Sequence, residues 1–437
     1  MNELNKYCIN NKDNVCCYRA EEPQWGKYIC HKCGAMNCQL HVSLWTDNMF
    51  HCFHCFAPTE CLKKPNGLLC EKNIKYADFK RRALLVIDGL YIAGAQRHCL
   101  ELINMLSLQG IAFTVVAVEG GGQWVSNFLE IAENVIIDFD GTLKWDTLRN
   151  SIEFTDFEFV TAHLKKGIEW TAKYIPKNIP RYAHFHSEPS EHEVITQDWI
   201  YQYCIDYDYM LFPSKSVLQC YAESFKFYIE NESIGKKFKV MPNSIPCYWG
   251  GACGAKEVVL EETKDLKLAI VSRIDEDKFS IPMFINTMHN LNQLYPNIQV
   301  LVAGDGESME NLKKELIVSS VYNKVKLLGF VHDVHRIYEW ADVVFLPSKR
   351  EGMPYVMLEC LASLCPIVVP KIGVFDEIES NGLVFIHKPN DAFEAALFIY
   401  KAFHMKLKRS DVVDKEAINK LFSSKSWENI VKEVYKV

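Results

Sequence analysis

No apolar run in this 437-residue chain comes near the roughly 18 residues needed to span a bilayer. The opening, MNELNKYCINNKDN, is polar and lacks the charged-then-apolar layout of a secretory leader. Low-complexity tracts and collagen-like glycine periods are missing too, with 21 glycines and 16 prolines thinly spread. Nor is there an excess of positive charge. Lys and Arg number 48 against 55 Asp and Glu, a net charge of −7, which excludes bulk attraction to a polyanion. What remains is a globular composition, 49% hydrophobic and 24% charged, long enough for two or three domains.

Cysteine is the one residue in surplus. Ten of the 17 fall within the first 70 residues, and the other seven are scattered through apolar segments. That layout fits a reducing compartment and a metal-bound head better than a disulfide framework, so the expected location is the cytoplasm. Cys30-x2-Cys33 and Cys52-x2-Cys55 are separated by eighteen residues, a zinc-ribbon spacing. Each knuckle aims two thiolates at one ion, and two knuckles close a tetrahedral, structural Zn2+ site. CQLHVSLW and MFHCF alternate like strands around a TDN turn. The metal would replace the core that so short a segment cannot build. Cys8, Cys16, Cys17, Cys38, Cys61 and Cys70 leave a second metal site open, although their spacings are irregular.

NMFHCFHC resembles the zinc ribbon of DNA primases and related viral proteins over about residues 28–60, with Cys33 where the primase ribbon carries His. The resemblance implies docking on nucleic acid. Residues 1–82 hold 12 Lys and Arg against 8 Asp and Glu. His31, His41, His51 and His54, with Trp45, Phe50, Phe53 and Phe56, would supply phosphate contacts and stacking. A purely structural or protein-docking ribbon accounts for the same spacing.

The remainder is organised around Pro347–Pro370, PSKREGMPYVMLECLASLCPIVVP. ADVVFLPS before it and CPIVVP within it read as buried strands, joined by a glycine-bearing loop and a helix. Gly352 is expected to permit a turn that most residues resist, and Pro354 to occupy the first helical position. Glu351 then lies on the loop and Glu359 inside the helix, whose first N–H groups offer a seat for a phosphate. Strand, loop, helix, strand is the unit of a doubly wound sheet, which binds ligands at the carboxyl ends of its strands.

Glu351-x7-Glu359 with its small-residue helix and VVP strand resembles the nucleotide-sugar motif of retaining GT-B glycosyltransferases of family 4. The likeness extends over about residues 83–437. ALLVIDGLYIAGAQRHCLELINMLSLQGIAFTVVAV reads strand, loop, amphipathic helix, strand, with apolar residues at 99, 102, 103 and 106 and Gly110 at the helix end. Its IAGAQRH loop is similar to the family's small-residue loop, Gly94 matching the second glycine and Ala93 replacing the first. His163 in EFVTAHLKKG matches the domain-one histidine that reaches the donor sugar. RYAHFHSEPSEHEV places His184, His186 and His192 on an acceptor-facing loop; His-x-His on a strand puts two rings on one face, an arrangement as ordinary as it is metal-binding. VMPNSIP resembles the domain-closing turn, with Ser244 where glycine is usual.

Arg273 and Lys278 in SRIDEDKF match the family's cation pair, with Phe279 at the usual glycine, and LLGFV resembles the base-reading loop, placing Phe330 beside the base. Three Asp-x-Asp pairs, at 138, 206 and 275, carry the pattern of metal-dependent GT-A enzymes, and their number marks it as cheap.

The resemblance implies an α/β chain of two doubly wound, Rossmann-like domains in the GT-B manner, beside the small N-terminal zinc-binding domain. Expected boundaries are residues 1–82 for the head, 83–245 for the acceptor domain and 246–264 for a linker. Residues 265–420 would form the donor domain, and 421–437 a helix crossing back to the first Rossmann-like domain. It further implies retaining, metal-independent transfer from a nucleotide sugar, a UDP-sugar first. Arg273, Lys278, Glu351 and His163 would be catalytic. Gly94, Glu359, Gly352, Met353, Pro354, Tyr355 and Phe330 would bind the donor. The ribbon makes DNA the preferred acceptor partner, as in viral DNA-modifying transferases. A lipid-linked or polysaccharide acceptor and a non-catalytic sensor that kept the cleft are the alternatives.

Overall fold

The computed structural model describes residues 59–63, 68–73, 79–138, 145–150, 152–154, 156–188, 197–224, 235–244, 265–331, 334–377, 382–406 and 424–436. Cys30, Cys33, Cys52 and Cys55 of the expected ribbon, together with Cys8, Cys16, Cys17 and Cys38, lie outside the described residues, as does the expected linker 246–264. The chain divides into two units. The first runs to His186 and takes in Ile195–Leu211 and Ser224–Lys239; the second holds Ser187–Val194, Phe212–Glu223 and Val240–Val437.

The described residues of the first unit form one series of strands, the central ones built on apolar runs with β-branched residues. The strands are β1 (Thr59–Lys63), β2 (Leu68–Asn73), β3 (Arg81–Ile87), β4 (Ile111–Ala117), β5 (Asn134–Asp138), β6 (Phe159–His163), β7 (Arg181–His184), β8 (Tyr209–Phe212) and β9 (Phe238–Val240). Their order in one sheet is β1-β2-β5-β4-β3-β6-β7-β8-β9. Pairing is parallel from β5 across to β8. Ala83–Ile87 is wholly buried, as expected of a strand covered on both faces. The helix Gly94–Ser107 packs Cys99, Leu102, Ile103 and Leu106 out of water, the positions its sequence period marks. Trp170 from the helix Leu164–Tyr174 joins Leu84, Val86 and Val160 in one cluster. At the near edge, β1 and β2 form an antiparallel hairpin that pairs with β5. Spacing had assigned these residues to the cysteine-rich head; their backbones belong to the first sheet.

Among the described residues the second unit has six parallel strands: β10 (Lys267–Val271), β11 (Gln299–Ala303), β12 (Val325–Gly329), β13 (Val343–Phe345), β14 (Ile367–Pro370) and β15 (Val384–His387). Their order is β12-β11-β10-β13-β14-β15. Successive side chains leave a strand on opposite faces. Leu268, Ile270, Val302 and Val343 accordingly enter one buried cluster, and Ala269, Val271, Ala303 and Val344 another. Both faces are covered, so the unit is doubly wound. The last helix is Ser424–Tyr435, with Trp427, Val431, Val434 and Tyr435 buried.

Gly304 follows β11 with φ of +141°, and a Cβ there would sit 1.8 Å from the Ser272 carbonyl oxygen. Only glycine lets these two loops touch. Gly304→Ala combines left-handed strain with a backbone clash and is expected to cost about 2 kcal/mol or more. The check is the urea midpoint of the transition that includes the second unit.

Candidate functional site

In the second unit the strand order reverses between β10 and β13, and the carboxyl edge at such a reversal is where doubly wound sheets bind ligands. Backbone bonds hold the two loops together: Ser280 N–H donates to Pro347 O and Lys349 N–H to Lys278 O, each at 2.8 Å. Phe279 bridges antiparallel to Ser348. Phe279 replaces the glycine expected after Lys278, and its ring is buried in the core with Phe284 and Phe345. The aromatic anchors the loop from below, so Lys278 is held rather than mobile.

This zipper brings two sequence-marked residues into contact. Lys278 Nζ lies 3.1 Å from Glu351 Oε2. Glu351 Oε1 accepts from the Ser348 hydroxyl at 2.9 Å. The Glu351 side chain is 5% exposed and the lysine 31%, so the carboxylate is almost dry while the ammonium still reaches solvent. Arg273 leaves the same strand edge but pairs with Asp275, Nε to Oδ2 at 3.0 Å, and its side chain is half exposed. Asp277 pairs with Arg350. The acidic character of SRIDEDK is therefore largely neutralised locally.

Glu359 lies in the helix Tyr355–Ala362, 2% exposed, and its Oε2 accepts from the Tyr338 hydroxyl at 2.5 Å. Two expectations need correction here. Pro354 is the residue before the helix, with φ −71° and ψ 130°, and Tyr355 is the first helical position. Gly352 is not among the left-handed glycines, which among the described residues of this unit are Gly304, Gly329, Gly373 and Gly382. The chain bends at Gly352 and Met353 without a positive φ, and Pro354 then leads extended into the helix. Met353 and Tyr355 are buried beside it, and the Met353 carbonyl accepts from Asn243 Nδ2 at 2.7 Å. Phe330 is 47% exposed, immediately after Gly329 at φ +66°.

Three residues that hold this site were not marked by sequence: Tyr338, Ser348 and Asn243. Asn243 stands in a Pro-Asn turn, a readable signal for a turn but not for what the amide would hold. Tyr338 sits in a short helix with nothing local to distinguish it.

In the first unit Gly94 opens its helix behind an extended Ala93, and the Gln96 amide donates to Gly89 O at 2.7 Å. His163 ends β6 and is wholly buried, its Nε2 2.9 Å from Thr161 Oγ1 and its Nδ1 3.0 Å from His186 Nε2. The next residue, Leu164, has φ of +64°, a conformation costly for leucine. Burial first, then the neighbouring imidazoles, holds His163, His184 and His186 well below the usual histidine range. His192 lies outside the described residues. Of the Asp-x-Asp pairs, Asp206 bridges Lys177 and Asp208 accepts from Arg181 N, both structural ties.

Residues 265–401, the span that contains the Lys278–Glu351 pair, match the family model described as glycosyl transferases group 1. The second unit carries a group 1 domain. An uncharacterized glycosyltransferase of Methanocaldococcus jannaschii is 30% identical over 155 residues, 32% of this chain and 37% of that protein. The GalNAc-alpha-(1->4)-GalNAc-alpha-(1->3)-diNAcBac-PP-undecaprenol alpha-1,4-N-acetyl-D-galactosaminyltransferase of Campylobacter jejuni is 31% identical over 153 residues, 34% of this chain and 39% of that one. The chain thus spans somewhat over a third of the length of these two curated relatives. Beyond the group 1 domain the likeness is one of fold. Anabaena HepE, solved in complex with UDP-glucose, superposes with a TM-score of 0.64 at 16% identity, over 81% of this chain and 99% of that one. Both Rossmann-like units therefore have counterparts in GT-B glycosyltransferases.

Tyr338→Phe removes a hydrogen bond from the buried carboxylate of the group 1 domain and is expected to cost about 1.5–3 kcal/mol. A double-mutant cycle with Glu359→Gln, followed by chemical denaturation, should return a coupling of about 1 kcal/mol or more.

Proposed function

We propose that this protein is a retaining glycosyltransferase that moves a sugar from a UDP-sugar to an acceptor hydroxyl. The observation that carries this reading is the meeting of Lys278 and Glu351 at the strand-order reversal of a group 1 domain. Arg273 and Lys278, both partly exposed, receive the diphosphate, assisted by the amides that open the helix Tyr355–Ala362. Glu359 takes the ribose hydroxyls. Glu351, with the main chain at Gly352, Met353, Pro354 and Tyr355, addresses the donor sugar, and Phe330 lies beside the base. The resemblance also assigns Gly94 to donor binding. His163, buried as it is, positions its neighbours rather than touching the sugar.

In the transfer itself the anomeric carbon loses its bond to the departing diphosphate oxygen and gains one to the acceptor oxygen on the same face. The acceptor's proton passes to the diphosphate. Negative charge grows on the leaving oxygens, so fixed cations stabilise the transition state more than the ground state. Side chains supply that charge, which makes the step metal-independent. HepE's complex with UDP-glucose supports a UDP donor.

The family match falls on the donor half and so informs the acceptor little. The cysteine knuckles favour a nucleic-acid acceptor, with the ribbon as its guide and a structural Zn2+ in the ribbon. The Campylobacter relative, named for a PP-undecaprenol-linked acceptor, favours a lipid-linked glycan as the second reading.

The experiment is release of UDP from a panel of UDP-sugars, with duplex DNA or a polyprenyl-diphosphate glycan as acceptor. Arg273→Ala and Glu351→Ala are each expected to lower turnover by about 100-fold or more. Wild-type rates in both variants would remove the assignment. Salt-dependent DNA binding lost on Cys52→Ser would favour the first acceptor; transfer to the glycan alone would favour the second.

A further inference from the structure

Four histidines from separate stretches of the first unit converge. His98 comes from the helix Gly94–Ser107, His163 from the end of β6, His184 from the end of β7, and His186 from two residues beyond. The parallel register of β6 and β7 sets His163 opposite His184. Their rings stack with centroids 4.2 Å apart and 17° between planes. His186 shares the parity of His184, and its Nε2 comes within 3.0 Å of His163 Nδ1. One ring nitrogen from each of His163, His184 and His186 lies within 4.8 Å of the other two. The His98 ring stands 5.1 to 5.9 Å, centroid to centroid, from all three.

A core built only for packing would place Leu or Val here, since imidazole nitrogens taken out of water need partners. A shared cation would satisfy several of them at once. Nitrogens bound to one ion at the usual 2.0–2.1 Å stand about 3.3 Å apart in a tetrahedral shell. The His163–His186 pair is already that close, and small side-chain rotations would bring in His184. Thr161 completes the pattern. With His163 Nδ1 turned to the ion, its Nε2–H donates to Thr161 Oγ1 at 2.9 Å, the outer contact that fixes a ligating histidine's tautomer. Three nitrogens with neither carboxylate nor thiolate suit a borderline transition metal, not magnesium or calcium. His186 is only partly buried, which leaves a way in.

We infer that His163, His184 and His186 form a three-histidine site for a divalent transition metal of the zinc class, with His98 beside its fourth position. The inference stands on the first unit alone and does not depend on the glycosyl-transfer reading. Such an ion would tie the ends of β6 and β7 together next to the strand-order reversal between β3 and β6.

The test compares zinc bound per chain at saturation in full-length wild type, His184→Gln and His186→Asn, by equilibrium dialysis against micromolar free Zn2+ and elemental analysis. All three retain every cysteine, so any thiolate-bound zinc is common to them. Wild type should hold one equivalent more than either variant. Replacing zinc with Co2+ should give that extra equivalent a visible d–d band without thiolate charge transfer. Equal metal content in wild type and a variant that melts at the wild-type temperature would overturn the site. Should His184→Gln fail to fold, the less buried His186→Asn decides alone.

Discussion

A lysine ammonium held 3.1 Å from a carboxylate that is almost out of water is the constraint on which the second unit's binding edge depends. A dry carboxylate without a partner is expensive, and here Lys278 and Ser348 offset that cost together. The pair can form only because β10 and β13 are neighbours whose following loops are bonded to each other. Topology thus decides the electrostatics. Lys278 remains partly exposed, so its positive charge stays open to solvent while Glu351 is oriented by the serine.

Much of this edge was legible in the sequence because its signals are local. Arg273 and Lys278 follow an apolar run at fixed spacing, and Glu351 and Glu359 bracket a loop-to-helix step. Those features place the residues at strand and helix ends whatever the rest of the chain does. The alternation that divides Leu268 from Ala269 between two cores is equally local, and it makes the sheet doubly wound. What the local signals could not say is who holds each group. Tyr338 reaches Glu359 across 21 positions and Asn243 reaches Met353 across 110; pairing at such range follows only from the assembled sheet.

The misplaced details have physical causes. The chain does bend at Gly352, but without the left-handed φ that would demand glycine, and Pro354 caps the helix from outside rather than opening it. Phe279 looked like a damaged glycine position. Its ring instead fills the core beneath the loop and immobilises the lysine next to it. His184 and His186 looked ordinary on one strand. Their meeting with His163 is set by the register of a parallel neighbour and that with His98 by a helix packed nearby, neither visible in any short window.

The hairpin of β1 and β2 has a mechanical meaning for whatever lies upstream of residue 59. It covers β5, which would otherwise be an open strand edge prone to pairing with another chain. It also fixes a leash point. β1 is four strands from β3, about 19 Å at the usual strand spacing, so the chain leaves the sheet that far to one side of the reversal between β3 and β6.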